Sequence, residues 1–256
     1  MDKATISVII AAKNEAGNVA DCIASVHFAE EILVLDSGSS DTTVSIAHQL
    51  GATVHHTDWP GYGPQQLRGI RLAKCDWILS LDADERITPA LKDEILNVIG
   101  NATADGYRLP RKSSFCGHFM KAGGWTPDYT LRLVKRDKAG FTDHFLHAHM
   151  TVNGRADDLK NPIVHYSYRT LDDVLEKLSR YSKGAALDAG RQGQTSGLFK
   201  AIGKGLWAFF RTYVLRRGFL DGKMGLVLAI FNGQTTYYKY LRLFLASHAT
   251  DVRKGE

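Results

Sequence analysis

Cysteine is scarce in this sequence: Cys22, Cys75 and Cys116 are odd in number, scattered, and part of no C-x-x-C pair. Such a set argues against a disulfide framework or a thiolate zinc site and fits a reducing cytosol. The marks of export are lacking too. Met1-Asp2-Lys3-Ala4 runs straight into a strand-like segment, without a basic start, an apolar run and a small-residue cleavage site, so a cytoplasmic location is expected. No stretch reaches the roughly 20 apolar residues of a spanning helix, because Lys200, Lys204 and Arg211 interrupt the most apolar segment. Internal repeats and low-complexity tracts are also missing.

What is present is a chain of 256 residues with 44% hydrophobic content, enough for one large α/β domain and a smaller appendage. The formal charge of +5 and pI near 9.0 fit a partner carrying phosphates: nucleic acid, an anionic membrane or a nucleotide-linked substrate. Nucleic acid is the weakest of these, since the basic residues are not interleaved with aromatics on a recognised module.

The first hundred residues alternate β-branched runs with helical patterns, the mark of a parallel sheet with helices on its faces. Strands are expected at 5–12, 31–35, 52–56 and 77–81, and helices near 16–26, 41–50, 64–73 and 89–99. The first and fourth runs are almost wholly apolar, which makes them central strands buried on both faces. From Gly106 to about Tyr168 short alternating runs, 130–134 and 162–168 among them, predict a mixed extension of the sheet. After Thr170 the chain turns helical, with Leu171, Val174, Leu175 and Leu178 spaced for one helix face. Helical stretches at 197–217 and 223–247 follow, joined by a turn at Gly218-Phe219-Leu220-Asp221-Gly222. The expected division is an α/β domain over 1–169, in two halves that meet at about residue 105, and a helical region over 170–256.

Open parallel sheets receive ligands at the carboxyl ends of their strands. Here those ends read Lys13-Asn14-Glu15, Asp36-Ser37-Gly38-Ser39-Ser40-Asp41 and Asp82-Ala83-Asp84-Glu85. Asp82 and Asp84, one residue apart on a turn, have the donor type that holds a hard divalent cation, which in turn neutralises a diphosphate. Asp36 is placed to accept hydrogen bonds from a ribose or a pyrimidine N–H, or to form a helix-entry turn. Ser37, Ser39 and Ser40 supply small donors, and Asp41 can cap the next helix. Glu15 either faces the same pocket or stabilises a helix N-terminus.

The segments Ser7–Glu15, Val34–Thr43 and Asp76–Glu85 together resemble family 2 glycosyltransferases. Gly123-Gly124-Trp125-Thr126-Pro127-Asp128, Leu131-Arg132-Leu133, His165-Tyr166 and Gly218–Gly222 resemble the bacterial subgroup that adds glucose to the lipopolysaccharide inner core. The resemblance implies a GT-A fold, a UDP-sugar donor, Mg²⁺ or Mn²⁺, and inversion at the anomeric carbon. It places Ala11, Lys13, Asn14, Glu15, Asp36, Ser37, Gly38, Asp82, Ala83 and Trp125 in the nucleotide-sugar site and Asp82 and Asp84 in the metal motif.

Inversion requires a general base for the acceptor hydroxyl. Asp128, in a loop shaped by two glycines and a proline, is the first candidate; its other reading is a loop-fixing carboxylate. Relatives carry a His-Glu pair where this chain reads His147-Ala148-His149. Asp143 is the nearest substitute carboxylate, His147 is expected to contact the metal or diphosphate, and either histidine could serve as base, ligand or buried imidazole. Relatives also show a basic residue and Asn where this chain has Gln66-Leu67, so either Arg68 or Arg71 reaches the diphosphate in their place or the donor is not UDP-glucose; Arg132 and Lys135 are either further balancing charges or solvated cations.

Between Gly197 and Arg217 aliphatic and aromatic residues alternate with Lys200, Lys204, Arg211, Arg216 and Arg217. The pattern fits a helix in a lipid interface, with peripheral contact through 197–247 at the inner face of the cytoplasmic membrane, where a lipid-linked saccharide acceptor would be met. The other reading packs this face on the catalytic domain or on a second subunit. The sequence argues against a sugar-nucleotide pyrophosphorylase, since Ala11-Ala12-Lys13-Asn14-Glu15 is not a Gly-rich basic loop. A catalytically silent scaffold at the membrane stays as the alternative, because the His-Glu carboxylate is missing.

Overall fold

The computed structural model describes residues 4–142 and 149–254. The chain divides into two compact units, Met1–Lys112 with Pro127–His165, and Ser113–Thr126 with Tyr166–Glu256.

In the first unit β1 (Ile6–Ala12), β2 (Glu31–Asp36), β3 (Thr53–His56) and β4 (Trp77–Asp82) run parallel in the order β3-β2-β1-β4. Their crossovers are α1 (Val19–Ser25), α2 (Thr43–Gln49) and α3 (Tyr62–Leu72), and β5 (Glu85–Ile87) and α4 (Pro89–Gly100) follow. Strands β6 (Gly106–Phe115), β7 (His118–Phe119), β8 (Tyr129–Lys135), β9 (Ala139–Phe141), β10 (Met150–Val152), β11 (Ala156–Asp158) and β12 (Ile163–Tyr168) come next. β8 pairs antiparallel with β4 and with β6, and His165 of β12 pairs with Glu85 of β5. This is the mostly parallel, helix-flanked sheet with a mixed extension that the pattern predicts.

β1 and β4 are central, and Ile6, Val8, Ile10, Leu79 and Leu81 are fully buried. Burial on both faces explains why these strands read as unbroken apolar runs. α3 lies directly on β1: a Cβ on Gly69 would collide with the Ile9 side chain, so only glycine permits the approach that holds α3 against the sheet. α4 begins with Thr88 accepting from the Leu91 N–H and Pro89 in its first turn, a start legible in the sequence.

The second unit is built from α5 (Leu171–Arg191), α6 (Leu198–Phe210), a π-helical turn at Arg211–Leu215 and α7 (Gly222–Lys254). A capping box of Thr170 and Asp173 starts α5. Phe115, Met120, Tyr168, Val174, Leu228 and Phe231 form this unit's core. The expected single face of α5 is corrected: Val174 and Leu178 are buried, whereas Leu171 and Leu175 are 64% and 51% exposed. The buried stripe instead continues through Ser182, Ala186 and Ala189, so small residues, which apolar spacing does not reveal, fill it.

Candidate active site

β1 ends between two carboxylate-bearing strands. Ala12 is in register with Asp36 of β2, and Ala11 with Asp82 of β4. Neighbouring strands lie about 4.8 Å apart, so these two acids flank the carboxyl end of β1 at roughly 10 Å.

Asp36 is buried, and its oxygens accept from the backbone N–H groups of Gly38 at 3.1 Å and Ser39 at 3.2 Å, with His56 Nδ1 at 3.4 Å. Burial alone would push this carboxyl up, but the hydrogen bonds from Ser39 and Gly38 prevail and hold it below its ordinary value. Asp36 therefore shapes the turn as well as standing at the strand end. Asn14, at φ +55°, ties the neighbouring loops together: its N–H donates to Ser39 Oγ at 2.9 Å and its side-chain oxygen accepts from the Ser40 N–H at 2.8 Å. Glu15 takes the helix-entry role, its N–H donating to Thr43 Oγ1 at 2.8 Å and its carboxylate accepting from Asn18 at 2.7 Å. Asp41 accepts from the Thr43 and Ala16 N–H groups. Ser37 Oγ accepts from Gln65 at 3.1 Å, Ala83 is buried and Lys13 is exposed.

Asp82 is engaged from two sides, by the Tyr62 hydroxyl at the start of α3 and by Arg132 of β8 at 2.6 Å. Arg132 is buried and also holds Glu85 at 2.8 Å. Burial would raise the Asp82 carboxyl; the Arg132 guanidinium and the Tyr62 hydroxyl outweigh it and hold the group well below the carboxylate range. Glu85 is pushed up, chiefly by burial, against the pull of the same guanidinium. Its other oxygen accepts from the Asp82 N–H at 3.0 Å, closing the acidic turn, and Arg86 grips that turn by donating to the Ala83 carbonyl at 2.8 Å. Asp84 lies 3.4 Å from His165 Nε2.

The pairing continues. Arg111 stands 3.7 Å from Glu85 and donates to Asp128 at 2.6 and 2.9 Å. Asp82, Arg132, Glu85, Arg111 and Asp128 thus form one ladder of alternating charge inside the first unit, joining the expected metal carboxylate to the expected base. Each buried charge in it has an opposite neighbour, the condition for burying charge at all. Of the two further cations expected near phosphate, Arg132 pairs with Asp82 and Glu85, and Lys135 with Asp105 at 2.9 Å.

Arg68 pairs with Asp58. Gln66 is buried and accepts from Ser80 Oγ at 3.1 Å; its Nε2 and the Nε of Arg132 are buried donors without a hydrogen-bond acceptor among the described groups. Trp125 belongs to the second unit, edge-on to Phe115 at 5.8 Å. In that unit the loop before it is latched by Asp221, which accepts from the N–H groups of Lys121 and Ala122 at 3.0 and 2.8 Å. Asp143, His147 and Ala148 lie outside the described residues.

Among the described residues no three His, Cys, Asp or Glu groups converge as a closed metal site. Asp82 and Asp84 nevertheless supply hard oxygens at an open strand end, a donor set suited to Mg²⁺ or Mn²⁺ when substrate phosphates and water complete the shell. The donor type fits such an ion; in this structure one Asp82 oxygen accepts from Tyr62 and the other from Arg132, so an ion bound there would displace or share these contacts.

Sequence reasoning missed Tyr62 and Arg111, which carry no motif. Arg132 had a legible signal: it stands beside Leu131, Leu133 and Val134 in a strand paired on both sides, where a charge must be paired.

A parallel α/β sheet with three polar strand ends along one carboxyl edge defines a protein that receives its ligand there. The model of the family described as Glycosyl transferase family 2 matches residues 7–158, and the chain belongs to that family; it is a glycosyltransferase with the GT-A fold. An uncharacterized glycosyltransferase of Rickettsia felis is 32% identical, covering 93% of this chain and 88% of the relative. The lipopolysaccharide core biosynthesis glycosyltransferase LpsC of Rhizobium meliloti is 24% identical over 93% of this chain and 94% of its own. Among solved structures, glucosyl-3-phosphoglycerate synthase of Mycobacterium tuberculosis, in complex with Mn²⁺, UDP and glucosyl-3-phosphoglycerate, is similar at 25% identity and a TM-score of 0.37. That similarity covers 43% of this chain and 44% of the synthase, under half of its length.

Proposed function

We propose that the chain moves a hexose, glucose first among them, from a UDP-sugar to a lipid-linked saccharide such as the lipopolysaccharide inner core, with inversion at the anomeric carbon. The observation that carries this reading is the register that sets Asp36 and Asp82 on either side of the β1 terminus, with Asp84 two residues on. The saccharide class is favoured by the similarity to LpsC along nearly the whole chain.

In this reading Ala11, Lys13, Asn14, Asp36, Ser37 and Gly38 receive the nucleoside, and Asp82 and Asp84 hold Mg²⁺ or Mn²⁺. When bound, the ion offsets the diphosphate charge and the charge that builds on the departing nucleotide. Asp128, oriented by Arg111, takes the proton of the acceptor hydroxyl. The hydroxyl oxygen bonds to the anomeric carbon from the face opposite UDP, and the bond from that carbon to the phosphate oxygen breaks, its electron pair leaving with UDP. No observation favours the silent-scaffold alternative.

A thermal-shift panel of nucleotide sugars with and without Mn²⁺ tests the donor. UDP-glucose should raise the melting temperature only with the ion present. Stabilisation by another nucleotide, or by UDP-glucose equally in chelator, overturns the donor or the metal part of the reading.

A further inference from the structure

α6 is packed with its smallest residues inward. Its buried positions are Ala201 and Gly205, and a Cβ added to Gly205 would stand 2.9 Å from Tyr237 Cβ and 3.2 Å from the Gly233 carbonyl oxygen. α6 and α7 therefore meet through a glycine contact that larger residues would force apart. The bulky side chains point the other way: Phe199 is 88% exposed, Leu206 66%, Trp207 53% and Phe210 43%. At about 100° per residue these four fall in one arc opposite Ala201 and Gly205, with Lys200 and Lys204 along its border.

Charge narrows the choice of partner. No Asp or Glu occurs from Ala189 to Leu220, which holds Arg191, Lys200, Lys204, Arg211, Arg216 and Arg217. From Ala189 to Thr250 the chain carries nine Lys and Arg and one acid, Asp221, and the remainder has more acids than bases. That acid is buried and engaged by backbone N–H groups. A second copy laid on this face by two-fold symmetry would set cations against cations with no carboxylate to meet them. Among the described residues no helix is long and apolar enough to cross a membrane. An arc of large apolar groups bordered by cations is suited to the plane of a lipid interface.

We propose that α6 lies in the surface of an anionic lipid layer, with Phe199, Leu206, Trp207 and Phe210 among the acyl chains and Lys200 and Lys204 at headgroup phosphates. A shallow hollow lined by Lys200, Gly203, Lys204 and Trp207 lies along the border of this arc. The Lys200 ammonium donates to the Thr195 carbonyl at 3.0 Å, a contact that a headgroup phosphate would have to replace. The inference rests on α6 and its charges, independently of the transfer reaction.

The test is co-sedimentation of the full chain with phosphatidylcholine vesicles, plain or containing about one-third phosphatidylglycerol. The wild type should sediment with the mixed vesicles and far less with the neutral ones. Phe199→Ser with Leu206→Ser should weaken binding about tenfold or more, as should Lys200→Gln with Lys204→Gln, with unchanged thermal melts. Wild-type binding by either double variant, or no binding by the wild type, overturns the proposal. So does a dimer in sedimentation velocity that the apolar substitutions dissolve. Asp84→Asn should sediment like the wild type, so failure of the transfer reading and failure of this one give different results.

Discussion

The two units treat polarity in opposite ways. The first buries its central apolar strands and holds interior charge only where it is paired or hydrogen-bonded, at Asp36 and along the ladder that starts at Asp82. The second buries Ala201 and Gly205 and leaves Phe199 and Leu206 in the open. A unit that holds paired charge inside is prepared for a charged ligand, because the groups are already desolvated and oriented. A unit that keeps large apolar groups outside is prepared for an apolar surface.

The sharpest way to break this contrast is Arg132→Met. Losing the shared guanidinium takes the counter-charge from Asp82 and leaves buried Glu85 with Arg111 alone, at 3.7 Å, so stability should fall by about 3–5 kcal/mol in urea denaturation. A loss near zero would mean that the ladder is incidental. Asp128→Asn comes next: it should keep donor binding while turnover drops about a hundredfold or more. A wild-type rate would move the base role to Asp143 or His147. Asp36 supplies a pH test. Its carboxyl is held below the ordinary value, so the unfolded chain binds the proton first; the stability it adds is present above about pH 4 and lost as pH falls through the folded value. Glu85, pushed up, works in the opposite sense. Asp36→Asn should therefore flatten the fall in urea midpoint between pH 5 and pH 3, read against the wild type; identical slopes would remove Asp36 from the account. Smallest of all should be Phe199→Ser, which touches exposed surface and should change stability by under about 0.5 kcal/mol. A larger loss in the melt would show that the arc is packed.

The parallel strands and their helices were legible because strands buried on both faces carry unbroken apolar runs, and the acidic strand ends because they interrupt those runs at Asp36 and Asp82. The partners of the acids were less legible. Tyr62 reaches Asp82 from 20 residues away and Arg111 reaches Asp128 from 17, and neither contact leaves a local pattern. Arg132 was visible as a charge, but its partners were not, since apolar spacing tells that a side chain is buried and not which carboxylate meets it. In α5 the inward stripe runs through Ser182 and Ala186, which hydrophobic periodicity passes over.

The central claim is that Asp82 and Asp84 hold a divalent ion together with the nucleotide diphosphate. Mn²⁺ binding followed by electron paramagnetic resonance, with and without UDP, tests it directly in the wild type and in Asp84→Asn. The account predicts tight Mn²⁺ uptake by the wild type when UDP is present and its loss in the variant; equal uptake by both proteins would contradict it.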